Sequence, residues 1–215
     1  MYLHRIPRWI VRNGHPFWWY LPGQPQVISL TFDDGPHPEI TPWVIDQLDD
    51  YGVRATFFFI GDNVQKYPSV AREVVRRGHE VGNHTFHHMR GTYTPLGLYL
   101  DDVQQCQLAL EDALSMSPRL FRPPYGRMTG AQVKALRPMY ELVMMDAVSG
   151  DFDLLLSPET CRERTLSAVK PGGIVLFHDS EKAWPRMQVA LPAVLAHCRE
   201  KLLPGVPVSD YLMRG

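Results

Sequence analysis

Two short segments of the sequence carry the residue types that bind a catalytic metal ion. Asp33 and Asp34 stand side by side directly after an apolar run, and three residues separate His84 from His88. If residues 85–88 form a helical turn, the two imidazoles share a face and can bind one ion together with Asp34. Two imidazoles and one carboxylate leave coordination positions for water and substrate, which is typical of catalytic zinc sites. The two segments therefore predict a site for metal-assisted hydrolysis.

Each segment also has a simpler interpretation, which the sequence alone leaves open. The acid pair precedes Gly35 and fits an ordinary turn, and a histidine-rich turn can be a hydrogen-bonded surface feature. His79 and His87 are out of phase with the two ligand histidines, so we expect them behind the ligands or on the surface. The His-Glu-x-x-His pattern of zinc peptidases is absent, which disfavours a peptidase.

Two further segments place polar residues after predicted strands. Arg122 precedes two prolines that restrict the backbone, so the N–H of Tyr125 would be a preorganised donor. His178 ends an apolar run and is followed by Asp179. Taken singly, the first segment is equally an ordinary loop with a surface arginine, and the second a histidine at the edge of the core.

The elements that must position these residues alternate between short apolar runs and longer segments of helical period. The predicted strands are 26–32, 53–60, 79–83, 119–122, 140–147 and 173–178. Helices are expected to begin at Thr41-Pro42 and at Ser157-Pro158, where a cap residue precedes a proline, and the longest helix is predicted over 98–114. This rhythm fits an open parallel sheet or a barrel. The polar residues follow the carboxyl ends of strands, which favours an α/β barrel because catalytic residues collect at that rim.

Composition limits the function and the number of domains. The 215 residues are 45% hydrophobic and predict a single domain, and the formal charge of −1 indicates no affinity for nucleic acid. Cys106, Cys161 and Cys198 are too few and too widely spaced for a disulfide framework, so we expect packing roles. No segment has the length of a membrane span or the core of a signal peptide, which predicts a cytoplasmic protein. The aromatic run at 17–20 leaves cell-envelope association as an alternative, although packing on the domain is the favoured interpretation.

In their order along the chain, these segments resemble the polysaccharide deacetylases of carbohydrate esterase family four, with a domain like that of rhizobial chitooligosaccharide deacetylase. The resemblance covers residues 26–210 and five motifs. It implies an α/β fold, a distorted (β/α) barrel with about seven parallel strands in a single domain. We assign residues 1–25 to an N-terminal segment that packs on the domain and residues 26–215 to the catalytic domain.

The resemblance also implies roles for the first two motifs and for the arginine. Asp33 resembles the general base, and Arg122 resembles the group that braces it. Asp34, His84 and His88 resemble the ligands of one divalent metal ion. Zinc is the expected ion, with cobalt, nickel and manganese as alternatives, because this ligand set suits several borderline metals.

The remaining motifs supply the acid and the substrate pocket by the same resemblance. The main-chain N–H of Tyr125 resembles the oxyanion donor, Leu176 a wall of the acetyl pocket, and His178 the general acid. Asp151 matches the acid that orients the catalytic histidine.

The fourth motif departs from the family pattern at two positions. Members often read Asp-x-x-Asp-Trp, whereas residues 148–152 read Val-Ser-Gly-Asp-Phe. Val148 replaces the earlier acid, and Phe152 stands where tryptophan is common, as a wall of the substrate pocket. The change bears on substrate preference more than on the acid.

The function implied is metal-dependent hydrolysis of an N-acetyl group on a carbohydrate, by a metal-activated water, an aspartate base and a histidine acid. Two alternatives stay open: a non-catalytic carbohydrate-binding descendant of the fold, and a hydrolase acting on O-acetyl esters or another C–N bond. The sequence specifies neither the acetylated sugar nor the oligomeric state.

Overall fold

The structure, a computed structural model, describes residues 4–11 and 16–212. One sheet of short parallel strands organises this part of the chain. The strands are β1 (Phe17–Trp18), β2 (Ser29–Asp33), β3 (Thr56–Phe59), β4 (Glu80–Asn83), β5 (Leu120–Phe121), β6 (Glu141–Val143), β7 (Ala147–Val148) and β8 (Ile174–His178). The helices are α1 (Ile40–Asp50), α2 (Gly61–Lys66), α3 (Pro68–Arg76), α4 (Leu96–Leu114), α5 (Gly130–Leu136), α6 (Pro158–Ala168), α7 (Trp184–Glu200) and α8 (Ser209–Leu212). Short 3₁₀ turns cover Gly91–Tyr93 and Pro124–Gly126.

The sheet curls until its two ends approach each other. Its strand order is β1-β6-β5-β4-β3-β2-β8-β7, so β6 and β7 lie near opposite ends. Only residues 144–146 connect these two strands, and an extended residue spans no more than about 3.6 Å. The ends must therefore lie close together, and the expected distorted barrel is confirmed, with eight strands in place of about seven.

The predicted strand 140–147 is wrong as one element, because it forms both β6 and β7. In the connection between β6 and β7, the N–H of Met144 donates to the carbonyl of Trp18 over 2.7 Å. The carboxylate of Asp146 accepts the N–H of Ile174 over 3.0 Å. The chain thus leaves one end of the sheet and joins the other within three residues.

Residues near the N-terminus contact both ends of the sheet. Arg5 forms an antiparallel bridge with Ala147, while β1, which the sequence patterns did not predict as a strand, pairs with β6. Arg8 lies 2.8 Å from the fully buried carboxylate of Asp146, to which Lys170 also approaches within 3.2 Å. This ion-pair cluster fixes residues 4–8 against the connection between β6 and β7.

Successive side chains of β3 pack in two of the three apolar clusters that the described residues form. All of Thr56–Phe59 is buried, as expected for a parallel strand covered on both faces. Phe57 and Phe59 pack in the cluster beneath the helices, whereas Phe58 packs in a second cluster with Leu176. The second cluster lies under the site described below and forms part of its wall.

Two helix starts illustrate where the sequence patterns succeed and fail. Ser157 caps α6 and accepts the N–H of Thr160, as predicted. The expected cap at Thr41 is wrong, because α1 begins at Ile40 and the Thr41 hydroxyl instead bonds to Asp179. The three cysteines are buried and free, which confirms their packing role. Within the described residues, we find no helix with both the length and the apolarity needed to cross a membrane.

Candidate active site

The carboxyl ends of β2 and β4 bring the three predicted metal ligands together. Asp34 follows β2, and His84 follows β4 directly. Asp34 Oδ1 lies 3.3 Å from Nε2 of His88 and 3.8 Å from Nε2 of His84. One ligand atom from each of the three residues lies within 4.8 Å of the other two. These spacings suit one shared cation.

The protonation and pairing of these groups also fit a cation. His84 Nδ1–H donates to the carbonyl of Arg122 over 2.7 Å, which leaves the Nε2 lone pair available to an ion. Burial lowers the pKa of His84 to about 4, so the ring is neutral. Asp34 Oδ1 is buried without a hydrogen-bond partner. Atoms about 2.0–2.1 Å from one tetrahedral ion lie about 3.3 Å apart, close to the observed separations.

The loop that carries the histidines is not the helical turn expected at 85–88. Thr85 and His88 have φ of 64° and 56°, a left-handed conformation incompatible with an α-helical turn. Asp102 of α4 holds the loop instead: its carboxylate accepts the N–H groups of Phe86 over 2.8 Å and His87 over 3.1 Å. The same carboxylate accepts His87 Nδ1–H over 2.6 Å. The His87 side chain is exposed, so of the two expectations the surface position is the one confirmed, with Asp102 fixing the ring.

Asp102 did not emerge from the sequence patterns, although a signal for it exists. It precedes Cys106 by four residues, and Cys106 precedes Leu110 by four, so the acid is in phase with the buried face of α4. A buried acid in that phase requires hydrogen-bond donors, and the histidine loop supplies them.

His79 lies elsewhere, at the opposite end of β4 from the ligands. It is buried, its Nδ1 accepts the N–H of Ala55 over 3.3 Å, and its ring packs edge-on to Phe57. Burial lowers its pKa to about 4. The expectation that His79 is a surface residue or supports the ligands is wrong, because it is a core residue.

Arg122 and Asp33 form a buried ion pair beside the three predicted metal ligands. Arg122 Nη1 donates to Asp33 Oδ1 over 2.8 Å and to Thr31 Oγ1 over 2.7 Å. Its Nη2 donates to the carbonyl of Met144 over 2.9 Å, and the fully buried guanidinium lies 4.2 Å from the ring centroid of Phe58. The other carboxylate oxygen, Asp33 Oδ2, is 3.7 Å from His84 Nε2. Asp33 is thus held at one oxygen and presents the other to the triad.

Asp179 fixes the turn that contains Asp34, a role that sequence reasoning missed. The Asp179 carboxylate accepts the N–H of Gly35 over 3.1 Å and the hydroxyl of Thr41. A Cβ at position 35 would lie 2.1 Å from Asp179 Oδ2, so only glycine fits. Asn63 Nδ2 donates to the carbonyl of Asp34 over 2.8 Å, and Asp34 itself has a left-handed φ of 80°. Burial and the charge of Asp34 raise the pKa of Asp179 to about 8, against the effect of its hydrogen bonds.

His178, at the end of β8, is paired with Asp151. Asp151 Oδ1 accepts His178 Nδ1–H over 2.8 Å, and Oδ2 accepts the main-chain N–H of His178 over 2.8 Å. Arg186 Nε donates to the carbonyl of Asp151 over 2.6 Å. Burial disfavours the charged imidazole, but the Asp151 carboxylate, with Asp34 and Asp33, raises the pKa of His178 to about 9.

The predicted pocket residues lie on both sides of these groups. Tyr125 has φ of 60°, and its ring centroid lies 4.7 Å from that of His88. Leu176 and Phe152 share one apolar cluster, and the Phe152 ring lies edge-on to His178 with centroids 5.2 Å apart. Val148 belongs to the same cluster, so the position where the family often has an acid is apolar here.

The chain is similar in sequence to known proteins. A family model described as polysaccharide deacetylase matches residues 21–139. A peptidoglycan-N-acetylglucosamine deacetylase of Bacillus cereus is 32% identical over 197 residues, which cover 90% of this chain and 92% of the relative. A chitooligosaccharide deacetylase of Bradyrhizobium is 35% identical over 159 residues, 71% of this chain and 70% of the relative.

The fold is similar to solved structures as well. A crystal structure of a peptidoglycan N-acetylglucosamine deacetylase, in complex with 4-naphthalen-1-yl-N-oxidanyl-benzamide, superposes with a TM-score of 0.85. It is 27% identical, and the superposition covers 91% of this chain and 92% of the other. Because it covers 91% of this chain, the likeness extends past residue 139, where the family model ends.

Proposed function

The chain belongs to the polysaccharide deacetylase family of hydrolases, which act on carbon–nitrogen bonds other than peptide bonds, and from that premise we propose that it removes N-acetyl groups from a carbohydrate with one divalent metal ion. The observation that carries the proposal is Asp34 Oδ1, which accepts no hydrogen bond and is buried between the ring nitrogens of His84 and His88. Zinc is the expected ion because two imidazoles and a carboxylate are typical of catalytic zinc sites.

Asp33 is proposed as the base, and its geometry supports that role. Bound at the triad, the ion would polarise the acetyl carbonyl and lower the pKa of a water molecule. Asp33 Oδ2 faces the triad, while Oδ1 is engaged by Arg122, so the free oxygen can take a proton from the attacking water. The buried ion pair keeps the carboxylate in one orientation.

His178 is proposed as the acid that protonates the departing amine. Its pKa of about 9 means that the imidazolium is populated at neutral pH, and Asp151 occupies Nδ1, which leaves Nε2 to donate. An amine is a poor leaving group unless it is protonated, so this proton is required. The main-chain N–H of Tyr125 would stabilise the oxyanion by about 3 kcal/mol.

A non-catalytic descendant that only binds carbohydrate is the competing function. The apolar Val148 favours it, since the family often has an acid there. The acid and the base nevertheless keep dedicated partners, Arg122 for Asp33 and Asp151 for His178. A binding protein needs neither pair, so the enzyme is the better supported function.

Acetate release from a panel of acetylated glycans tests the proposal. Zinc-loaded and chelator-treated protein would be assayed on N-acetylglucosamine oligomers, peptidoglycan and acetylated xylan, which separates amide from ester hydrolysis. We expect His178→Ala to retain zinc and lose turnover, and His84→Ala to lose zinc after dialysis. A zinc-loaded protein inactive on every glycan would refute the enzyme, and a His84→Ala protein with full zinc content would refute the ligand assignment.

A further inference from the structure

An arginine and two tyrosines form an exposed aromatic patch that begins at a proposed metal ligand. The Arg90 guanidinium lies 4.2 Å from the ring centroid of Tyr93 and 5.7 Å from that of Tyr125. The Tyr125 ring in turn lies against His88. Tyr93 is 76% exposed and Tyr125 is 61% exposed, so both rings offer area to a ligand. We call these three residues, Arg90, Tyr93 and Tyr125, the Arg90 patch.

Arg90 has no acidic partner within residues 4–11 and 16–212. No carboxylate there forms an ion pair with its guanidinium, and its Nε–H has no acceptor. Other partly buried arginines are paired: Arg8 with Asp146, and Arg77 with Asp46 at 2.6 Å. A cation that is held in place without an acidic partner is available to a ligand that brings the negative charge.

The loop that carries the patch is fixed in position rather than free on the surface. The fully buried Gln132 donates from Nε2 to the carbonyls of Gly91 over 2.9 Å and Thr94 over 3.2 Å. A Cβ at Gly91 would lie 2.6 Å from Gln132 Oε1, so the contact requires glycine. Tyr93 N–H and the Thr94 hydroxyl both donate to the carbonyl of Arg90. The exposed ring is therefore preorganised, which lowers the entropy cost of binding.

The chemistry of the patch fits a sugar with an acidic substituent. An exposed aromatic ring presents an apolar face that can stack on the C–H face of a sugar ring. An arginine that stacks on tyrosine keeps its in-plane N–H donors available, and their fork matches a carboxylate. The chain has a formal charge of only −1, so attraction for an acidic sugar must come from such a local cation.

We propose that the Arg90 patch is a subsite for a carboxylate-bearing sugar unit next to the unit that loses its acetyl group. The inference rests on the proposed function, because it takes the metal triad as the place of reaction. The patch begins at His88, so its occupant is a neighbour of the reacting unit along the same glycan. The preferred substrate is thus an acidic N-acetylated glycan and not a neutral one.

The test uses substrates that differ only in charge. One is a tetrasaccharide of alternating N-acetylglucosamine and N-acetylmuramic acid with free carboxylates, and the other is the same molecule with each carboxylate converted to a methyl amide. For zinc-loaded Arg90→Gln we expect kcat/KM on the charged tetrasaccharide to fall about tenfold or more. On the amide we expect less than about a twofold change, because no charge is lost there.

Control variants separate the subsite from other effects of the substitution. Arg76→Gln removes the same charge from α3, where the exposed Arg76 pairs with Glu73, and should change neither value. Arg90→Lys keeps the charge without the fork and should retain part of the preference. In about 0.5 M salt the preference should shrink, since the site is near the surface.

A hyaluronan tetrasaccharide, whose carboxylates come from uronic acids, identifies the source of the charge. If Arg90→Gln lowers kcat/KM on only one of the two acidic glycans, that glycan is assigned as the source of the carboxylate. If it lowers kcat/KM on neither, the subsite is refuted. Equal losses by Arg90→Gln on the charged and amidated tetrasaccharides also refute it, because they indicate a structural role.

Binding measurements keep the two proposals distinguishable. Dissociation constants for both tetrasaccharides would be measured with zinc-loaded His178→Ala protein, with and without Arg90→Gln. Arg90-dependent binding of the charged molecule without turnover by the unmodified chain would refute the enzyme and retain the subsite. Turnover by the unmodified chain, with binding that Arg90→Gln does not change, would retain the enzyme and refute the subsite.

Discussion

Asp151→Asn gives the sharpest test of the proposed acid, because Asp151 touches His178 through two hydrogen bonds and lies outside the metal triad. Both carboxylate oxygens of Asp151 accept N–H groups of His178. Asparagine preserves the shape and removes the charge. The pKa of His178, about 9 in the folded chain, should then fall. Burial disfavours the imidazolium, and the charge of Asp151, which most strongly opposes this effect, is absent from the variant.

The magnitude follows from the two pKa values. A pKa of about 9 against an ordinary value of about 6.5 corresponds to about 3 kcal/mol in favour of the imidazolium. If the pKa of the variant falls to about 6.5, the protonated fraction at pH 8 falls from about 90% to about 3%, a loss of about 30-fold. An ion bound at Asp34 would lower the pKa of His178 in both proteins, so the difference between their two pKa values is the informative quantity.

The assay is the pH dependence of kcat/KM for acetate release by the two zinc-loaded proteins. The alkaline limb should move to lower pH in Asp151→Asn. Asp210→Asn removes an equal charge from α8, where Asp210 pairs with Arg54, and should leave the limb in place. Coincident alkaline limbs for Asp151→Asn and the unmodified chain would show that Asp151 does not raise the pKa of His178.

Stability provides a second readout with a defined sign. The pKa of His178 is higher in the folded chain than in the unfolded chain. The contribution of the His178 imidazolium to the free energy of unfolding is therefore fully present below about pH 6.5 and is lost as the pH rises through about 9. Asp151→Asn should therefore lower the free energy of unfolding in urea more at pH 6 than at pH 10. Equal losses at both pH values would contradict the linkage.

Three further substitutions test the groups around the proposed catalytic residues. Arg122→Met leaves a buried carboxylate unpaired and should lower the free energy of unfolding by about 3–5 kcal/mol in urea at pH 7; unchanged stability would contradict the buried ion pair. Asp102→Asn loosens the histidine loop and should weaken zinc binding about 10–100-fold in chelator competition; unaltered affinity would remove its positioning role. Gly35→Ala forces a Cβ against Asp179 and should lower kcat about a hundredfold, whereas Gly130→Ala, in open space, should not. Equal rates for the two alanine variants would show that the turn tolerates the displacement.

The proximity of Asp34, His84 and His88 could be predicted from the sequence because Asp34 and the histidine segment each follow a strand. Parallel strands put their carboxyl ends on one edge, so Asp34 and His84 had to approach each other once β2 and β4 were recognised. The loop conformation could not be predicted. Thr85 adopts a left-handed φ in a loop that Asp102, distant in sequence, holds through the N–H groups of Phe86 and His87. Local propensity favours neither that conformation nor that partner.

The crossing between β6 and β7 illustrates a second limit. Residues 140–147 are apolar enough to read as one strand, and nothing local marks Asp146 as the point where the chain changes ends of the sheet. That point is defined by partners far away in sequence. Arg8 and Lys170 form ion pairs with one carboxylate oxygen of Asp146, and the N–H of Ile174 donates to the other. Periodicity indicates which residues are buried, but not which strand each one joins.

The departure at Val148 separates substrate choice from the acid. Asp151 reaches His178 through its carboxylate and is held by Arg186, and Val148 takes part in neither contact. Val148 instead packs with Leu176 and Phe152, so its replacement of an acid alters the charge of the pocket wall. Loss of a negative charge from that wall removes a source of repulsion for an acidic glycan, and Arg90 adds attraction from another part of the rim. The two features favour the same class of substrate. Val148→Asp should therefore weaken acetate release from charged tetrasaccharides more than from their amides. Equal effects on both substrates would show that Val148 does not influence substrate choice.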